Sequence, residues 1–203
     1  MKEKAGRDKE QDSVTRRKML IGGSALAAGA ALTHVSGLVS TATARIESLE
    51  KWPWPYKKLD PAKTAELAYQ EWYHVFCGAA LIRSVFGQLR ELIGHPYTVF
   101  PIDGFVYLEG GQAGWGTICG ASAGANVVAN MILGPRTDGS TIGHQISTDL
   151  MQWYSQTELP VYTPEKPRIK AEPMKTVSNS PLCHISMGRW MKAADKPLRS
   201  PER

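Results

Sequence analysis

The stretch "WGTICGASAGANVVANMILG", Trp115 to Gly134, decides the fold class. Gly116, Gly120 and Gly124 recur every four residues, with Cys119 and Ala123 alongside. Residues four apart share one face of a helix. A glycine inside a helix costs about 1 kcal/mol relative to alanine. Three in register need a return, and the return is a close backbone approach to another helix or a cofactor. The spacing predicts a helix over 115–134 that packs tightly on a second one.

The second helix lies upstream, in "AKTAELAYQEWYHVFCGAALIRSVFGQLRELIG", residues 62–94. Apolar side chains recur at three-to-four spacing through Trp72, Ala79, Ile82, Phe86, Leu89 and Ile93. Asp60 reads as the N-cap and Pro61 as the first helical residue. Gly94 and Pro96 end the run, so one long helix is expected. Within it His74 and Cys77 stand three apart, on neighbouring positions of one face. Residues 95–114 read as a loop rich in turn formers. Further on, "HQISTDLMQWYSQTELPVYTP" predicts a shorter helix ending before Pro160, and the proline-rich residues 160–182 an ordered, extended wrap. "ISMGRWMKAA" closes the domain with a short helix, and 193–203 form a flexible tail. The fold class is mostly α: a small helical bundle with long proline-rich loops and an extended N-terminal arm.

That arm is residues 45–60. Trp52, Trp54 and Tyr56 alternate with Pro53 and Pro55, which forbid a regular helix and favour extended backbone. An aromatic strap lying across its own core is expected. Ahead of it, residues 1–44 carry Arg16-Arg17, an Ala/Gly-rich apolar run and the small-x-small ending Ala42-Thr43-Ala44. This is the pattern of a twin-arginine export signal, cut after Ala44. The run from Met19 to Leu32 is shorter than the roughly 20 apolar residues that span a bilayer. A periplasmic protein with no stable membrane span after cleavage is expected.

Seven basic and four acidic side chains lie in residues 1–44, which leaves seventeen against fifteen in the remaining 159 residues. The full chain's net charge of +5 thus falls to +2. No basic patch of the kind that binds nucleic acid remains. All three cysteines, Cys77, Cys119 and Cys183, follow the signal. An odd number in an oxidising compartment leaves one thiol unpaired within a monomer. Either a metal or cluster holding thiolates, or a disulfide beside a buried thiol, resolves this. The twin-arginine route carries folded cargo, which favours a cluster or metal over a covalent haem attached after export.

"SNSPLCHISMGRW", Ser178 to Trp190, sets Cys183 directly before His184, as in the C-x-x-C-H of a c-type haem site. Ser180 occupies the place of the first cysteine. No intact C-x-x-C-H occurs, so a doubly linked haem is excluded. An all-cysteine iron–sulfur centre needs four thiolates, and one chain supplies three.

The segments "FCGAAL" and "GTICGASAGAN" resemble the redox-active family named for its C-GCAxxG-C-C pattern. "QISTDLMQWYSQTELPVYTP" and "SNSPLCHISMGRW" resemble that family's split-Soret cytochrome c-like branch. The resemblance covers roughly residues 60–192, and 61–192 is taken as the redox-family domain. It implies an exported, dimeric, helical electron carrier with haem c, an iron–sulfur centre or both, serving a redox partner protein. It places Cys77, Cys119 and Cys183 at family cysteine positions as metal ligands. His184 and His74 become candidates to complete the cofactor site, with His95 and His144 as spare ligands. Met191 stands where a further cysteine is expected.

Two other classes compete. A reactive Cys119 thiolate near a helix N-terminus would suit a nucleophilic enzyme, but no base–orienter set, phosphate-binding glycine motif or H-E-x-x-H pattern accompanies it. An electron carrier is therefore favoured over a catalyst with its own substrate. The other class is a cofactor-less structural or partner protein of the same descent, which the missing fourth cysteine supports.

Overall fold

The computed structural model describes residues 51–134 and 141–201. The expected export signal and the first residues of the arm lie outside the described residues. Among the described residues five α-helices carry the fold: α1 (Pro61–Val75), α2 (Cys77–Leu92), α3 (Gly120–Leu133), α4 (Ile142–Gln156) and α5 (Cys183–Ala194). Two short 3-10 helices, Tyr97–Val99 and Ile102–Leu108, sit between α2 and α3. The expected mostly helical class holds. The sole sheet among the described residues pairs β1 (Glu158–Leu159) antiparallel with β2 (Thr176–Val177), a pairing the sequence did not announce.

The expected single helix over 62–94 is in fact two. It starts as predicted, with the Asp60 carboxylate accepting from Ala62 N–H at 2.8 Å and Lys63 N–H at 3.2 Å. It breaks at Phe76, whose φ of 56° and ψ of −168° belong to no helix. Phe76 closes α1 through its N–H to Trp72 O and opens α2 by accepting from Ala80 N–H. Periodicity cannot expose such a break, because the apolar spacing runs straight through it. The break corrects the expected His74–Cys77 pair: His74 lies exposed near the end of α1, and Cys77 begins α2.

Helix α2 is the hub, packed between α1 and α3 and against the longer 3-10 helix. Ile82, Phe86 and Leu89 are wholly buried there, joined by Tyr97, Ile102 and Leu108. Each such burial is worth about 1.5–3 kcal/mol. The arm behaves as the expected strap. Trp54 packs edge-on against Tyr97 at 5.3 Å and Phe100 at 6.0 Å, and its backbone N–H donates to Ile132 O. The Trp52 indole N–H caps Met131 O at 3.0 Å, and Tyr97 OH donates to Pro55 O.

The glycine ladder does what its spacing implied, with one correction. A Cβ on Gly124 would stand 2.5 Å from Gly78 O, and one on Gly78 would stand 2.7 Å from Gly120 O. Backbone therefore meets backbone where α2 crosses α3. Gly116, however, is not helical: its φ is +73° and α3 begins only at Gly120. Residues 115–119 run instead toward the C-terminal segment, where Ile118 bridges Leu182.

Candidate functional site

All three cysteines stand where a helix begins. Cys77 is the first residue of α2, Cys119 the N-cap of α3 and Cys183 the first residue of α5. Leading residues of a helix leave backbone N–H groups unpaired within it and carry the positive end of its dipole. No side chain caps any of the three helix starts. Cys183 and His184, expected in a loop, open α5 instead.

Long-range pairing brings these starts together. Cys119 N–H donates to Pro181 O at 2.9 Å, and Cys183 N–H to Thr117 O at 2.6 Å. Residues 117–119 thus lie antiparallel to 181–183, and each segment turns into its helix immediately afterwards. Cys77 joins from the α2–α3 crossing: a Cβ on Gly120 would come within 2.9 Å of Cys77 Cβ. Among the described residues none of the three cysteines is in a disulfide.

One cavity of about 1280 Å³ is lined by Cys77, Cys119, Cys183 and His184 together. Cofactor and ligand pockets commonly measure about 300–1,000 Å³, so the space exceeds what a bare metal needs. Aromatic side chains line the same cavity, with Tyr69, Trp72, Tyr73 and Phe76 from the end of α1 and Tyr154 from α4. On α5, Cys183, Met187 and Met191 recur every four residues, and all three line the cavity. Among the described residues, no three of His, Cys, Asp and Glu stand close enough to hold one ion as placed. The thiols share a chamber without forming a closed cage.

His184 is fixed by a glycine loop. Its Nδ1 lies 2.8 Å from Gly116 O. A carbonyl only accepts, so Nδ1 carries a proton and donates to it. The same carbonyl takes the His184 backbone N–H at 3.1 Å. Gly116 is required here: a Cβ would stand 2.7 Å from His184 Cβ. Gly111 does the same for Cys183, where a Cβ would meet Cys183 Cβ at 2.7 Å.

Tyr154 is the residue the sequence reading missed. It is 9% exposed, lines the cavity and has Cys119 and Ser186 as side-chain neighbours. Burial first, then the neighbouring Cys119, push its hydroxyl far above the ordinary tyrosine range, so it stays a proton donor beside the thiols. Its place on the inward face of α4, seven residues after Ser147 and eleven after Gly143, was the available signal. His74, His95 and His144 do not line the cavity.

No family model matches the chain. Its sequence is 32% identical over 177 residues to the split-Soret cytochrome c of Desulfovibrio desulfuricans, a match covering 85% of this chain and 62% of that protein. A solved structure describing a novel iron centre in the split-Soret cytochrome c of that organism aligns with a TM-score of 0.66 at 32% identity. The alignment covers 72% of this chain and 61% of the other. The chain therefore spans about three fifths of the length of these relatives.

Proposed function

Because the chain belongs to the split-Soret cytochrome c-like branch, we propose that it is an electron-transfer protein. In this reading its iron is held at the cysteine-lined wall of the cavity. The observation that carries the proposal is the convergence of three cysteine-bearing helix starts on one chamber. Export to the periplasm and assembly as a homodimer belong to the same reading, as does a protein redox partner. Among the described residues no helix is long and apolar enough to cross a membrane.

The donor set fits iron bound through thiolates. Cys77, Cys119 and Cys183 offer sulfur at positive helix ends, and His184 offers Nε2 with its ring already oriented. For haem the fit is narrower. Ser180, at the place of a first thiol, accepts from Leu182 N–H at 3.1 Å through its hydroxyl, and a serine forms no thioether. Cys183 alone would form a thioether, and His184 would offer an imidazole nitrogen to the iron. When bound, the iron supplies reversible one-electron exchange. The protein's own part is to neutralise thiolate charge with helix N-termini, to donate from Tyr154, and to surround the centre with aromatic rings.

Absorption spectra of the natively exported protein, before and after dithionite, with iron and acid-labile sulfide assays, test this. Broad absorbance with sulfide marks a cluster; a Soret band that survives acid–acetone extraction marks a covalent haem. Cys77→Ser, Cys119→Ser and Cys183→Ser each abolish or sharply alter the chromophore. Three unchanged spectra would defeat the assignment. A second reading, a cofactor-less structural or partner protein, rests on the lack of a closed three-ligand group among the described residues. A colourless, iron-free protein would establish it.

A further inference from the structure

Residues 160–175 form a loop whose ends are pinned together. At its base Glu158 pairs with Val177 and Leu159 with Thr176. Between these points not one residue is buried. Among the described residues, no backbone group of 160–175 bonds to another backbone group. Yet the loop forms much of one cavity wall, through Tyr162, Pro164, Pro167, Ile169 and Pro173 among others. A wall with neither core nor backbone ladder belongs to the least stable part of a structure.

What holds it shut is a small set of side-chain contacts, all to one face of α1. Tyr162 OH donates to the Glu66 carboxylate. The Arg168 backbone N–H donates to Tyr69 OH at 2.9 Å, and the Arg168 guanidinium lies 3.9 Å from the centre of the Tyr73 ring. Glu66, Tyr69 and Tyr73 recur at three and four residues, a single stripe of the helix. A second space of about 340 Å³ is lined by Ile169 of the loop, Trp72 and Tyr73 of α1 and residues 198–201. The loop is latched to α1 near its base by Tyr162 and at its middle by Arg168. Prolines at 160, 164, 167 and 173 restrict the backbone, so it tends to swing about its base more than to crumple.

We propose that residues 160–175 are an access lid. Breaking the Tyr162–Glu66 and Arg168–α1 contacts, with the β1–β2 staple closed, opens the cavity in a folded chain. A cofactor-sized group then reaches the cysteine wall without unfolding of the helices. The inference rests on the proposed cofactor site for what passes through, but the opening itself needs no iron.

The test uses the full mature chain as isolated. Trypsin cutting between Lys170 and Ala171 reports lid opening, with mass spectrometry giving the rate. After chelator treatment, labelling of Cys77, Cys119 and Cys183 by a pyrene maleimide gives a second readout. An exposed cation–π contact corresponds to about a two- to five-fold change in population, so Arg168→Ala is expected to raise both rates by that factor. Tyr162→Phe raises them as well, and the double variant more than either. Lys166→Ala, an exposed change outside the latch, leaves them unaltered. Unchanged rates in the latch variants overturn the lid, as does an equal rise in Lys166→Ala. So does a rise that tracks loss of helical circular dichroism. An iron-free protein with a working latch refutes the redox reading alone; an iron-loaded protein with an inert latch refutes the lid alone.

Discussion

Gly124→Ala and Gly87→Ala make opposite predictions from one pair of helices. A Cβ on Gly124 would lie 2.5 Å from Gly78 O, 2.9 Å from Gly78 Cα and 3.0 Å from Gly78 C, all backbone. Ordinary contact begins at 3.4 Å, so α2 and α3 must part by about 0.9 Å at their crossing. Overpacking of this kind costs about 1–3 kcal/mol, against about 1 kcal/mol gained from alanine's helix propensity. A net loss of up to about 2 kcal/mol is expected. Gly87, on α2, has nothing within 4 Å of its Cβ position. There only the propensity gain remains, about 1 kcal/mol of stabilisation. Urea denaturation followed by far-UV circular dichroism measures both. The two midpoints should move apart, Gly124→Ala down and Gly87→Ala up. If Gly124→Ala matches or exceeds the parent, the crossing is not the close contact described here. The same separation shifts Cys77 relative to Cys119, so lower iron occupancy should accompany it.

Further outcomes follow from the arm, the first helix and the latch. Trp54→Ala should cost about 3–5 kcal/mol, whereas Trp54→Phe should cost much less because the indole N–H is buried without a partner among the described residues; equal losses in thermal melts would contradict this packing. Asp60→Ala should lose about 1 kcal/mol with the N-cap, readable by urea denaturation. The Gln70 and Tyr162 hydrogen bonds hold the Glu66 carboxyl below its ordinary 4.5. The latch therefore contributes fully above that value and is lost as pH falls through the lower, folded one. A titration followed by Tyr162 ring NMR should show a midpoint below 4.5 that disappears in Glu66→Gln; a midpoint at or above it would refute the sign.

Much of the fold was legible because it depends on local chemistry. Asp60-Pro61 announced α1 through capping, and Gly120 and Gly124 announced a helix crossing because few other structures justify glycines four apart. Trp54 announced itself as core because alternating prolines leave an aromatic strap few alternatives. What escaped the sequence depends on single dihedral angles and distant partners. The break at Phe76 hides inside an unbroken apolar period, so the His74–Cys77 pair dissolved without warning. Gly116 looked like the first rung of a ladder but serves as the seat of His184, sixty-eight residues away. The cysteines were legible as candidates, but their shared chamber was not, since nothing local says that residues 117–119 will lie beside 181–183.

That pairing has a kinetic meaning. Helices α1, α2 and α3 follow one another along the chain and form contacts over modest sequence separation, which favours early folding. The strand-like contact of Ile118 with Leu182 must instead close a loop of more than sixty residues, with α4 and the lid inside it. In a chain made from its N-terminus, Cys77 and Cys119 are neighbours well before Cys183 exists. The chamber is thus the last feature to be completed. A nascent chain holds only two of its three thiols, so a centre held by all three, as proposed, would wait for Cys183 to be made.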